Sequence, residues 1–379
     1  LSEPREDGRP RDGLRVAALD AAAYTVPTDA PEGDGTLAWD HTTMVVVHAR
    51  AGDRVGTGWT WAPAAAAAVV HELLEPVVLG RDALAPAAAQ EAMLRAGRNA
   101  GRGGLVAMAV SAVDIALWDL GARLLDLPLH RWWGGEARPV PVYGSGGFTT
   151  YDDDRLRSQV RGWLALGLGA VKIKIGESWG AREARDLERT ALVRDLVDDL
   201  TGPGAGTEVF VDANGAYSPG QARRVGRDLD GLGVSWFEEP VSSEDLAGLA
   251  SVRAAVAADV AAGEYADDPA AFARLAPVVD CLQVDVTRCG GYTGWLRAWA
   301  LAAAHGVDVS GHCAPYLTAP VAAVTPRLRH VEWFHDHVRI VRELVDGYRE
   351  PLHGALPPAD GPGHGLALRT AAAERYRVA

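Results

Sequence analysis

The run Ala170-Val171-Lys172-Ile173-Lys174-Ile175-Gly176 decides how most of the chain is to be read. Its β-branched residues at 171, 173 and 175 alternate with the two lysines, the period-two pattern of a strand, so Lys172 and Lys174 point to the same side. The apolar side must be covered, and the lysines are therefore expected inside a closed layer rather than on a solvated edge. Two ammonium groups side by side should lower the pKa of at least one, making a lysine a usable base near neutral pH.

The same texture recurs on both sides of this run. Short apolar stretches at 140–143, 170–175, 208–212, 235–238, 260–264, 282–285, 307–312 and 331–334 number eight, with helical patterns between them. In 181–200, for example, Leu192, Leu196 and Leu200 repeat at four. Eight β/α units in this length predict an α/β fold, a closed (β/α)8 TIM-type barrel, with a doubly wound sheet as the alternative. Residues 1–135 read differently: strand-like at 15–24 and 42–50, helical from 64 onward, with one apolar helical face over 105–125. The expected organisation is an N-terminal α+β capping domain (1–135), the barrel (136–350) and a C-terminal segment (351–379) that runs back over the cap.

Composition narrows the classes. Thirty-seven Lys and Arg against 50 Asp and Glu leave a net charge of -13, and no basic run gathers a local positive face, so no nucleic-acid partner is expected. The Ala-rich stretch 63–70, taken as the most apolar, is too short to span a bilayer, and 1–12 has no apolar core of a signal peptide. No membrane association and a cytoplasmic location are expected. Cys281, Cys289 and Cys313 form no C-x-x-C pair and are read as buried, reduced thiols.

In such a barrel the chemistry stands at the carboxyl ends of the strands. Asp212, Glu238 and Glu264 close three successive runs at a spacing of 26 each time, which predicts three acids at one height. Carboxylates that close repel unless a cation sits among them, and hard oxygen donors suit Mg²⁺. Asp285 and His312 close the sixth and seventh runs, and an Asp beside a His fixes its tautomer and leaves the other nitrogen free to move a proton. Glu332, in the eighth, is expected either to donate a hydrogen bond as a protonated acid or to pair with a barrel lysine.

The set Lys172-x-Lys174, Asp212-x-Asn214, Glu238-Glu239-Pro240, Gly263-Glu264, Asp285 with Gly290-Gly291, His312 and Glu332 resembles the enolase superfamily, within it the mandelate racemase subgroup. The first domain resembles that family's cap, through Asp114-Ile115-Ala116-Leu117-Trp118-Asp119 and Gly134-Gly135. Asp285 in place of a strand-six lysine separates the chain from the muconate-lactonizing branch, Glu264 in place of Asn from the glucarate dehydratase branch, and the intact lysine pair from the mannonate dehydratase pattern.

The resemblance implies abstraction of the proton α to a carboxylate through a stabilised ene-diolate. Mg²⁺ would sit on Asp212, Glu238 and Glu264. Lys174 would act on one face and His312, oriented by Asp285, on the other, with Lys172, Glu332 and Asn214 binding substrate. It implies a lyase that dehydrates a sugar acid to a 2-keto-3-deoxy acid, with a racemase or epimerase of a 2-hydroxy acid as the alternative. The partner is a small-molecule carboxylate, and assembly as a homo-oligomer is expected. A metal-dependent hydrolase barrel would want a His-x-His on strand one, where Val140-Pro141-Val142-Tyr143 has none. Specificity is assigned to a loop over 26–42, expected to order over the barrel mouth, and to the loop after strand one. His335-Asp336-His337 is read as a loop cap or a support behind the site, and Trp59 and Trp61 as core residues that could line it.

Overall fold

The structure, a computed structural model, describes residues 13–357 and 359–379; the stretch 1–12, discussed above for its lack of an apolar core, lies outside the described residues. Strands β1 (Ala18–Gly33), β2 (Ala38–Ala51) and β3 (Arg54–Trp61) form an antiparallel sheet in that order. The two strands expected at 15–24 and 42–50 are there, but they are longer, because 26–42 is not a loop. Val26 pairs with Thr42 and Glu32 with Trp39, so this segment is the far end of a β1–β2 hairpin. Its irregularity between Pro27 and Glu32 falls where Pro27 and Pro31 withhold ladder donors.

The helix Leu105–Leu124 matches the pattern expected over 105–125 and corrects the hydropathy reading. This helix, not the Ala-rich stretch, is long and apolar enough to cross a membrane, yet 83% of its apolar window is buried in the fold. Gly56 and Gly58 of β3 explain the close fit. A Cβ at either would lie 2.2 Å from Ala116 O or 2.3 Å from Ala112 O, so only glycine lets helix and sheet approach this closely.

Eight parallel strands follow: β4 (Val140–Gly146), β5 (Ala170–Lys174), β6 (Glu208–Asp212), β7 (Val234–Glu238), β8 (Asp259–Ala262), β9 (Cys281–Val284), β10 (Asp308–Gly311) and β11 (Leu328–Phe334). Each pairs with the next, and β11 pairs with β4, so the ring closes as a (β/α)8 barrel under an N-terminal cap. The outward residues of β5, Val171 and Ile173, join the core formed with the surrounding helices. Asp152, Ser218, Asp245 and Asp268 cap four helices, each accepting a hydrogen bond from a backbone N–H in the first turn.

Inside the ring, period two writes two layers. Tyr143, Phe210, Trp236 and His330 cluster near the middle of their strands, with the imidazole 4.6 to 5.3 Å from the three rings. Two residues on along the same strands stand Ser145, Asp212, Glu238 and Glu332, all buried.

Cap and barrel are sewn together by buried polar groups. Asp114 on the long cap helix accepts hydrogen bonds from Thr293 N (3.0 Å) and Oγ1 (2.6 Å) on the barrel helix Gly291–His305. Asp119 accepts from Thr57 N and from His364 N, both 2.9 Å, joining cap to C-terminal segment. Near the cap, Val378 N donates to Ala23 O and Ala23 N to Ala379 O, each 2.9 Å.

Candidate active site

Register places Lys174 beside Asp212, and Asp212 beside Glu238. The equal spacing of 26 does not put Glu264 at that height, because Glu238 is opposite Ala261 and β8 ends at Ala262. Glu264 reaches in from beyond the strand, after Gly263 at φ +135°, where a Cβ would lie 2.3 Å from Gln283 O. The three acids converge nonetheless: one oxygen from each lies within 4.8 Å of the others, all buried. Glu264 Oε2 makes no aligned hydrogen bond, although His312 Nε2 is 3.2 Å away. Three crowded carboxylates, one with an unpartnered oxygen, fit a hard divalent cation such as Mg²⁺.

Lys172 Nζ lies 2.5 Å from Glu238 Oε1, 2.8 Å from Glu332 Oε1 and 3.8 Å from Asp212 Oδ2, and Lys174 bonds Asp212 Oδ2. Lys172 does lower Lys174, as the pairing predicts, but the expected net fall in a lysine pKa is not found. Burial does push both ammonium groups down, but Glu238, Glu332 and Asp212 around Lys172, and Asp212 beside Lys174, outweigh burial and hold both above the usual lysine range. The acids respond in kind. Burial would raise Asp212, but Lys174 and Lys172 hold it below its ordinary value, whereas Glu238 is raised by burial and by Asp212.

Of the two readings of Glu332, the ion pair is the one found. Burial is overcome by Lys172 and His312, which keep this carboxylate well below its usual pKa, and Ser145 Oγ (2.6 Å) and Cys313 N (2.9 Å) donate to it. Lys172 and Glu332 are fully buried and, like Asp212, Glu238 and Asp285, do not line the cavity on which Lys174, Glu264 and His312 open. Asn214 does line it, at φ +45° with a buried Oδ1 that has no partner, and its N–H donates to Asp212 Oδ1 (2.8 Å). Glu239, Cys313 and Ala314 share that left-handed backbone, so the barrel mouth concentrates strain.

His312 Nδ1 lies 2.8 Å from Asp285 Oδ2, and Asp285 Oδ1 accepts from Thr287 N and Oγ1 at 2.7 Å. Burial would lower the imidazole pKa, but Glu264, Glu332 and Asp285 raise it. The second nitrogen faces Glu264 and the cavity. Lys174 and His312 thus stand on different strands, β5 and the end of β10, around one cavity of about 250 Å³.

The far wall of this cavity was not resolved into residues by sequence reasoning. Asp34, Trp39, His41 and Thr42 come from the β1–β2 hairpin, within the segment assigned to specificity. That hairpin is already docked on the barrel: Thr149 N donates to Gly33 O (2.8 Å), Thr149 Oγ1 to Asp34 O (2.7 Å) and Trp179 N to Gly35 O (2.8 Å). Asp336 and His337 also line the cavity, so the run read as a cap or support reaches the site itself. The ring of His337 stacks on Trp61 at 3.9 Å, which places Trp61 behind the wall, while Trp59 is core. Tyr265, Arg288, Cys313 and Phe334 also line the cavity and were not foreseen as site residues. Arg288 was signalled only by its place just after Asp285.

Residues 34–134 match the family model for the mandelate racemase / muconate lactonizing enzyme N-terminal domain, and 155–372 match the enolase C-terminal domain-like model. A mandelate racemase/muconate lactonizing enzyme-like protein from Rubrobacter xylanophilus superposes with a TM-score of 0.90 at 45% identity, over 96% of this chain and all of that one. The D-galactarolactone cycloisomerase of Agrobacterium fabrum is 31% identical over 96% of this chain and 99% of its own. L-talarate/galactarate dehydratase of Salmonella typhimurium, solved with Mg and L-lyxarohydroxamate, superposes with a TM-score of 0.88 at 25% identity, over 100% and 96% of the two chains. By sequence the same dehydratase aligns at 32% identity over 67% of this chain, and the match spans 63% of its length.

Proposed function

The chain belongs to the enolase superfamily, in its mandelate racemase subgroup, and we propose that it removes the proton α to the carboxylate of a sugar acid and expels the β-hydroxyl as water. The observation that carries this reading is that Lys174 and His312, the latter held by Asp285 from behind, open on one cavity from separate strands, beside three carboxylates.

The proposed metal ligands are Asp212, Glu238 and Glu264. When bound there, Mg²⁺ supplies fixed positive charge against the substrate carboxylate and against the neighbouring ammonium groups, which lowers the pKa of the α-proton and of the lysines. Lys172, steadied by Glu332, presents its charge toward the substrate carboxylate from below. One of Lys174 and His312 takes the α-proton, leaving an ene-diolate; the other returns a proton to the departing β-hydroxyl, so water leaves and the enol becomes a 2-keto-3-deoxy acid. Asp285 holds His312 Nδ1, keeping Nε2 free for that transfer. Asn214 offers its unpartnered amide oxygen to a substrate hydroxyl.

A racemase or epimerase remains the second reading, favoured by acid/base groups from two sides of one cavity, which also suit reprotonation from the opposite face. We attach to the first reading the division into cap (1–135), barrel (136–350) and returning segment (351–379), and a reducing, cytoplasmic setting, supported by three buried free cysteines.

The test is a library of sugar mono- and diacids with Mg²⁺, scored for 2-keto acid, and repeated in D₂O. A dehydratase releases keto acid with little exchanged substrate. With a substrate that lacks the β-hydroxyl, Lys174→Ala stops α-proton exchange from one face and His312→Asn from the other. Exchange from both faces in both variants would sink the assignment.

A further inference from the structure

The cavity is electrically lopsided. On the barrel side its lining cations are Lys174, Arg288 and His312, and each is engaged: Lys174 on Asp212, Arg288 on Glu264 (3.2 Å) and near Asp285 (3.5 Å), His312 on Asp285 (2.8 Å). The opposite wall offers anions and neutral groups instead. Asp34 lies at the hairpin turn, where its Oδ1 accepts from Thr36 N, Thr36 Oγ1 and Leu37 N. Asp336 is buried and accepts from the Thr42 hydroxyl. Its other oxygen holds Arg339 at 2.6 Å, and Arg339 does not line the cavity. His337 is buried with an unpartnered Nδ1, and burial drives its pKa down to about 3, so the ring is uncharged. The one exposed imidazole on this wall, His41, has its Nδ1 2.6 Å from Asp40.

Resting on the dehydratase reading above, we propose that this wall selects a monocarboxylic polyhydroxy acid, an aldonate, and rejects the dicarboxylic aldarate of the same length. With the reacting carboxylate over the barrel floor, the distal end of a five- or six-carbon acid meets Thr42, Asp336 and His337. A hydroxyl there can donate to Asp336. A second carboxylate cannot, and it faces Asp34 and Asp336 with no free cation among the cavity's lining residues.

The experiment compares kcat/KM for aldonates and aldarates matched in length and stereochemistry, with Mg²⁺, by 2-keto acid release. Aldonates are expected to lead by roughly a hundredfold or more. Asp336→Asn removes the wall's buried anion and frees Arg339, so it is expected to shrink the ratio by about tenfold or more; Thr42→Lys, on the half-buried hairpin edge, adds a cation without touching the core and should move the ratio the same way. Aldarates turned over as well as aldonates by the wild type, or a ratio unmoved in both folded variants, would overturn the inference while leaving the function standing. If no acid of either class yields keto acid or α-proton exchange, the function itself fails.

Discussion

Two layers of the same barrel, two residues apart on the same four strands, do opposite work. The lower one, Tyr143, Phe210, Trp236 and His330, is a packed aromatic plug around an uncharged imidazole; burial pushes His330 down to about 3, and its Nδ1 lies 2.9 Å from Ser310 Oγ. The upper one, Ser145, Asp212, Glu238 and Glu332 with the two lysines, is a web of buried charge. The layers touch along β7, where Trp236 Nε1 donates to Glu238 Oε2 at 2.8 Å, and between β5 and β4, where Lys172 Nζ lies 5.3 Å from the centre of the Tyr143 ring. The contrast teaches that stability and chemistry are divided by strand position: the lower layer contributes apolar contact, and the upper one pays desolvation to keep charges poised.

The sharpest way to break the contrast is at Glu238. Glu238→Gln is expected to cut turnover by roughly 10³-fold or more, the scale of several kcal/mol of lost metal-borne stabilisation. Its thermal midpoint should stay level or rise, since one of several crowded carboxylates has gone. A midpoint that collapses with activity would show that the upper layer holds the fold. Trp236→Ala is the mirror test in the lower layer: about 3–5 kcal/mol of stability lost to a cavity, read by denaturant unfolding. If Trp236→Ala leaves stability intact, the plug is not structural.

A smaller effect comes from His330. The unfolded chain binds a proton near the ordinary histidine pKa of 6.5 and the folded one only near 3, so between those values acid favours unfolding. His330→Phe should flatten the stability curve there, by at most a few kcal/mol at the acid end, and change nothing above pH 7. Equal acid slopes for the two proteins would mean that the imidazole is charged in the fold. The smallest effect is expected outside both layers, at Asp152, whose carboxylate caps the helix Asp153–Ala165: Asp152→Ala should cost about 1 kcal/mol and leave turnover as it was.

The eight strands and the polar residues closing them were legible because strand periodicity fixes which side chains share a face, and barrel topology fixes which end carries chemistry. What the residues could not reveal is what depends on partners across the fold. The lysine pair looked mutually depressing until Asp212, Glu238 and Glu332 were seen to surround it. Glu264 looked level with Asp212, but β8 stops early and Gly263 carries the chain inward. Asp336 and His337 follow a strand directly and were taken as support, since only the docked cap, through Thr42 on β2 and Trp61 on β3, shows that they face the same space. The hairpin itself was hidden by Pro27 and Pro31, which read as loop residues and sit at its irregularity.

The backbone bonds between Ala23 and the pair Val378 and Ala379 set a schedule for synthesis. A strand that precedes the barrel in the chain waits for residues that follow the barrel before this stretch of its outer edge is covered. Until then β1 offers bare N–H and C=O groups, the kind of edge along which nascent chains pair wrongly with one another. That same hairpin carries Asp34 and Thr42 to the barrel mouth, where they meet Asp336 and His337 from the segment after β11.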